Sequence, residues 1–166
     1  MDSGTHKQDT HSRLAWRLRE QAHDIKRLAS GLDEESLSER TVPGKWSLKE
    51  ILCHLWRVQE VFEGRIEALL TQTNPTVVPY YPEQDSEFQE KLRSTASELL
   101  EGFLSEREQL VTLLASLSAV DWRRSGAHPE YPHYDLHFQV EYMAYHEAHH
   151  IYQMLQRRAP LGKVPH

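Results

Sequence analysis

The chain has 166 residues, 27% of them charged and 39% hydrophobic, an ordinary globular composition with enough length for a substantial core. A formal net charge of −6 disfavours a dedicated nucleic-acid binder, and no apolar run approaches the ~20 residues of a membrane span. The polar start MDSGTHKQDT lacks the apolar stretch of a signal peptide, and the single cysteine, Cys53, excludes an intrachain disulfide, so one cytoplasmic domain is the expectation.

Residues 10–30 read as a first helix, with Leu14, Leu18, Ala22, Ile25, Leu28 and Ala29 on one stripe. Asp9 or Thr10 is expected to cap it. Among the eleven histidines, His6, His11 and His166 fall in ends without a clear pattern. Residues 31–43 form a polar connection with room for a short helical turn near Glu34. Ser47 and Glu50 then have the spacing of a capping box, and a second helix is expected over 47–70. Its stripe is Leu48, Ile51, Leu55, Val58, Phe62, Ile66 and Leu69. At ~100° per residue, His54 lies at the edge of that stripe, on the side of Val58 and Arg65, and Cys53 points elsewhere.

Residues 71–84 carry Pro75, Pro79 and Pro82 and have no helical period. They are too long for a tight helix–helix turn and read as a crossover. Ser86 and Gln89 suggest a second capping box opening a third helix over 86–117, in which Gly102 marks a close approach. Residues 118–134 are irregular, with a short turn near Trp122 and with Pro129 and Pro132 preventing a long helix. Asp135 is placed to cap a fourth helix over 136–157. No strand-like alternation is evident, and the pattern is that of an all-α four-helix bundle with one long crossover between its second and third helices.

The chemistry concentrates in the fourth helix. His146 and His150 are four apart and share a face, and the string from His146 to His150 also reads H-E-x-x-H. Val140, Met143, Glu147, Ile151 and Met154 define the inward direction, with His146 and His150 to one side of it beside Gln139 and Gln153. His149 is turned ~60° away and is the poorer ligand. His54 has the matching edge position on the second helix. Three neutral imidazoles with an open fourth position make a catalytic-type zinc arrangement. The plainer alternative is a partly buried His54 and a solvated pair on the last helix. A zinc protease places its third ligand after the motif, yet only sixteen residues follow His150 and their one histidine is His166. Glu147 occupies the general-base position of such a protease, but its inward direction suits a buried carboxylate paired with an arginine better. Arg123 and Arg124 read more readily as a solvated charge pair than as an anion site.

Three stretches together resemble a known family. The segment from Pro43 to Leu55 is similar to G-K-W-S-x-x-E-x-x-x-H-L, with Arg65 eleven residues beyond its histidine. The run from His146 to Gln153 is similar to H-x-x-x-H-x-x-Q, and Arg124, Gly126, His128 and Pro129 lie between. The chain thus resembles the DinB-like, or YfiT-like, metal-dependent bundle proteins over nearly its whole length. The resemblance implies an up-down-down-up four-helix bundle. It implies a divalent metal on His54, His146 and His150, zinc or nickel before manganese or iron, and a homodimer. It also implies transfer of a low-molecular-weight thiol (bacillithiol, mycothiol or glutathione) to a small electrophile. Arg65, Arg123 and Arg124 are then candidate contacts for an acidic thiol, and Tyr80, Tyr81 and the 124–134 segment should face the substrate. The alternatives are a metal-dependent hydrolase, with Glu147 or a tyrosine assisting proton transfer, and a non-catalytic metal-binding bundle. The family often has a glycine just before the last helix, where this chain has His133 and Tyr134.

Overall fold

The computed structural model describes residues 3–166, with side chains described from residue 10 onward. Four long helices carry the fold: α1 (Ser3–Ala29), α3 (Leu48–Thr71), α5 (Ala96–Ser116) and α6 (Leu136–Arg158), with short helices α2 (Glu34–Ser38) and α4 (Ser86–Lys91) in the connections. The apolar stripes of the long helices decide their order. Leu14 and Leu18 in the middle of α1 pack with the ends of α3 and α5 and the start of α6, through Ile66, Leu114 and Val140 among others. Ile25 and Leu28 at the other end of α1 pack with Ile51 of α3, Leu99 of α5 and Met154 of α6. Helices α3 and α5 therefore run against α1, and α6 runs with it, which is the up-down-down-up order. Both α1 and α3 pack against α5 and α6.

The caps account for most boundaries. Ser47 Oγ accepts from Glu50 N at 3.1 Å while Glu50 Oε2 accepts from Ser47 N at 2.8 Å, closing the box that starts α3. Asp135 Oδ1 accepts from Phe138 N at 2.8 Å and starts α6.

Two boundaries differ from expectation. Helix α1 begins at Ser3, so Thr10 lies inside it and caps nothing, while the side chains of His6 and Asp9 fall outside the described residues. His11 is part of that helix and stacks on Trp122, with ring centroids 4.4 Å apart. The expected third helix over 86–117 is two helices. Thr95 and Glu98 form a capping box that starts α5 afresh, and its extended backbone at Thr95 (ψ 158°) breaks the run. The cap of α4 is Asp85, whose carboxylate accepts from Glu87 N, and Ser86 is its first residue. The break lets Phe88 turn under α3, where Trp46 stacks on it at 5.6 Å.

The two loops at one end are stitched together. Val77 N donates to Ala127 O and Ala127 N to Pro75 O, each at 2.8 Å. Two-residue strands β1 (Ser125–Gly126) and β2 (Tyr134–Asp135) pair antiparallel. A side chain at Gly126 would meet Pro75 O at 2.6 Å, so only glycine admits this approach. Gly102 plays a similar part in α5, where the ring of Trp56 lies against its Cα and would stand 2.2 Å from a Cβ.

At the centre of the bundle sits Arg107, 2% exposed. It donates to Leu18 O at 2.8 Å, to Gln59 Oε1 at 2.7 Å and to both oxygens of Glu147, so one guanidinium joins all four long helices. Among the described residues no helix is long and apolar enough to cross a membrane.

Candidate metal centre

The antiparallel packing of α3 on α6 brings two four-residue stripes face to face. On α3 the stripe is His54, Val58 and Phe62, continued by Arg65. On α6 it is Phe138, Tyr142, His146 and His150. Residues four apart on a helix stack along one face, so the two stripes make opposite walls of one cavity of about 390 Å³. The crossover supplies Tyr80 and Tyr81 to it, and the stitched loop supplies His128, Glu130, Tyr131 and Tyr134.

The three histidines lie at one end of this cavity. His54 and His150 are buried and His146 half-buried. One ring nitrogen from each falls within 4.8 Å of the others. Nε2 of His150 is 3.2 Å from Nε2 of His146. Two nitrogens bound to one tetrahedral ion at ~2.0–2.1 Å would be about 3.3 Å apart, so this pair already has the separation of neighbouring ligands. His150 Nδ1 donates to Gln153 Oε1 at 2.9 Å, which fixes the tautomer and leaves a lone pair on Nε2. The same Gln153 donates through Nε2 to His149 Nε2 at 3.0 Å. His149 thus belongs to the support of the site and is not one of the three converging rings. His54 has a buried Nδ1 without a hydrogen-bond partner, and its ring packs on Trp46 at 5.0 Å.

Burial and crowding keep all three rings neutral. His54 is pushed down to about 3, by burial first and then by the neighbouring His150 and His146. His146 falls to about 4 for the same reasons, with His150 and His149 as its neighbours. His150 falls to about 4 through burial, against the Gln153 contact, which favours the protonated ring. Imidazoles that resist protons but present lone pairs to one point are suited to a divalent cation.

The remaining candidates separate. Glu147 points away from the cavity into the Arg107 pair, 3% exposed, with both oxygens engaged. That is the structural role, and a general-base role has no geometric basis. Arg65 lines the cavity and donates Nη2 to Val78 O at 2.9 Å. Arg124 instead holds the ends of the stitched loops, donating Nε to Leu69 O at 2.6 Å and Nη2 to Gln72 O at 3.3 Å. Arg123 is exposed on the short 3-10 turn Asp121–Arg123. Neither Arg123 nor Arg124 is among the cavity residues. Cys53 is buried, its thiol pushed up to about 12 by burial, and Sγ donates to Phe88 O at 3.5 Å. Sequence reasoning placed Phe62 in the core alone and passed over Phe138 as a cavity wall. The repeat of aromatic and histidine residues every four positions on α6 was the available signal.

Residues 17–154 match the sequence pattern of the DinB superfamily. YuaE of Bacillus subtilis (strain 168), itself uncharacterized, is 24% identical over 151 residues, spanning 81% of this chain and 90% of that protein. A protein of Bacillus cereus (strain G9842), named provisionally as a metal-dependent hydrolase, is 27% identical over 141 residues, or 84% of this chain and 80% of its own. Among solved structures, YfiT from Bacillus subtilis superposes with a TM-score of 0.80 at 19% identity, covering 93% of this chain and 89% of YfiT. It is described as a probable metal-dependent hydrolase with an unusual four-helix bundle topology.

Proposed function

The chain belongs to the DinB superfamily, and from that premise we propose that it is a divalent-metal-dependent hydrolase of small molecules whose ion is held by His54, His146 and His150. The observation that carries this reading is the convergence of three neutral ring nitrogens within 4.8 Å on the wall of a cavity. The donor set fits a borderline ion such as zinc or nickel, which prefers imidazole to all-oxygen ligands. A divalent ion held by three ligands supplies Lewis acidity and lowers the pKa of water or a thiol towards neutrality. The names of the B. cereus relative and of YfiT support hydrolysis as the reaction.

The chain's own residues provide the setting. Gln153 orients His150 through Nδ1. Phe62, whose ring is 5.9 Å from that of His146, and Trp46 beside His54 exclude water from the histidine end. Tyr142 stands on the α6 stripe of His146, its ring 5.9 Å from that of Phe62, and its hydroxyl, which bonds Tyr131, is the candidate donor to a reacting oxygen.

One observation favours thiol transfer as a second reading. The only carboxylate of the histidine motif, Glu147, is committed to Arg107. A thiol needs only to lose its proton, whereas hydrolysis of an amide also needs proton delivery to the leaving group. The test is to load the purified protein with zinc, nickel or manganese. Ester and amide hydrolysis is then assayed beside the transfer of bacillithiol, mycothiol or glutathione to a haloaromatic acceptor. Metal-dependent hydrolysis supports the first reading, and metal-dependent transfer without hydrolysis replaces it with the second. Failure of the protein to take up an ion at all would overturn both.

A further inference from the structure

Beyond the histidines the cavity has a second chemical end. Arg65 lies eleven residues from His54 on the same wall, and its guanidinium packs over the ring of Phe62 at 5.3 Å. The same ring meets that of His146 in an edge-on contact, with centroids 5.9 Å apart. Phe62 is therefore in contact with both the guanidinium and the histidine end of the cavity.

Arg65 is the arginine of this cavity and differs from the ion-paired inward arginines Arg57 and Arg107. Arg57 is paired with Asp85 and Glu60, and Arg107 with Glu147. Among the described residues no carboxylate pairs with Arg65, whose one protein acceptor is Val78 O. Burial holds its pKa below the usual arginine value, with the hydroxyls of Tyr134 and Tyr142 as its polar neighbours. Gln139 adds a second donor without a partner. It is 1% exposed, its Oε1 accepts from the Tyr134 hydroxyl at 2.7 Å, and its Nε2 is buried with nothing to donate to. A half-buried guanidinium with spare donors, beside an amide donor in the same state, is a site waiting for an oxyanion. The walls between the two ends are aromatic, which suits a flat apolar body.

We propose that this cavity takes a small aromatic or conjugated monocarboxylate, its carboxylate held by Arg65 and its reacting group presented to the histidine end across Phe62. The proposal rests on the reading of this cavity as the substrate chamber and specifies what that chamber selects. A planar carboxylate matches the bidentate fork of arginine, whereas a lysine in its place would offer only a point charge.

The test uses matched probes and does not require turnover. Binding of 4-nitrobenzoate and of 4-nitrobenzamide is measured by calorimetry on the full chain, both zinc-loaded and stripped with chelator. The stripped protein separates the contribution of Arg65 from any direct ligation of a metal by carboxylate. The expected result is a preference of about tenfold or more for the carboxylate in stripped wild type. Arg65→Met should abolish that preference while leaving the amide affinity within about twofold, and Arg65→Lys should retain part of it. Equal affinity for the two probes in stripped wild type, or no detectable binding of the carboxylate, would overturn the proposal without reference to any variant. A preference that survives Arg65→Met would also overturn it. Failure of the metal reading would show instead as no zinc uptake, with the carboxylate preference intact.

Discussion

Arg107 of α5 and Glu147 of α6 meet at the centre of the bundle as an ion pair, with Nη1 2.8 Å from Oε1 and side chains only 2% and 3% exposed. The pair lies on the inward face of the very turn whose cavity side carries His146 and His150. One turn of α6 thus serves the core through its carboxylate and the cavity through its imidazoles.

Removing one partner of this pair leaves the other charge buried and unpaired. Glu147→Ala should destabilise the fold by about 3–5 kcal/mol, seen as a lower urea midpoint. The folded fraction should still bind metal at wild-type stoichiometry. Loss of metal binding with unchanged stability would instead assign Glu147 to the metal centre.

The histidines should divide three to one. His54→Ala, His146→Ala and His150→Ala should each abolish stoichiometric zinc binding, while His149→Ala should retain it, as measured by metal analysis after dialysis. Gln153→Ala removes the acceptor that fixes the His150 ring and should weaken zinc about 10–100-fold. Retention of full affinity in His54→Ala would leave only an i,i+4 pair on one helix and would refute the three-ligand site.

What the sequence made legible follows from which features are local. The phase of His54 against its stripe and the four-residue step from His146 to His150 are properties of single helices, and both appear in the cavity. The Ser47 box and the Asp135 cap are equally local. The break between α4 and α5 was missed because Ser86 and Thr95 both carry cap-like spacing. Phe88 settles the matter only by tertiary burial against Trp46 and Cys53. The start of α1 lies before its apolar stripe begins, where periodicity is silent. Arg107 and Gln59 are polar side chains at buried positions, and no pattern in α3 or α5 alone reveals that they meet.

Glu63 provides a pH dependence opposite in sign to that of the buried histidines. Its carboxyl is pushed up to about 7, by burial first and then by Glu106, and its Oε1 is buried without a partner. The folded protein therefore holds a proton that the unfolded chain releases near pH 4.5. Stability from this group is full below about pH 4.5 and is lost as pH rises through about 7. The loss should be about 1–2 kcal/mol once solvent screening is allowed for. Glu63→Gln should flatten that part of the profile and be the more stable protein at pH 8. The three histidines, held neutral in the fold, add stability as pH rises over the same range, so the difference between the two proteins is the readout. An equal change of urea midpoint between pH 5 and pH 8 in wild type and Glu63→Gln would show that Glu63 does not contribute.

Gly102→Ala sets a small gain in helix propensity against a collision. The new methyl would stand 2.2 Å from the Trp56 ring, and that ring is held by a 2.7 Å hydrogen bond to Glu106 and by Lys91 over its face at 3.5 Å. The propensity gain is about 1 kcal/mol, and overpacking of a fixed ring costs about 1–3 kcal/mol, so net destabilisation is expected. Combining it with Trp56→Leu should recover part of the loss relative to the sum of the single changes, which thermal melts would show as positive coupling.

Stripping the metal should leave the protein folded. The two apolar clusters that set the bundle contain no histidine, and the Arg107 network that joins its helices is likewise separate from the site. This differs from small zinc domains, whose folding free energy is the binding free energy. Chelator-treated protein should keep its helical circular dichroism and melt cooperatively. Zinc at about a hundredfold excess over Kd should then add about 2.7 kcal/mol by mass action alone, raising Tm by a few degrees. His150→Ala should remove that increment without lowering the metal-free Tm by a comparable amount, because its imidazole bonds only Gln153 and His146, both groups of the site itself. Collapse of the helical signal on chelation would show that the ion is structural, and the open-site chemistry argued from the three neutral rings would lose its basis.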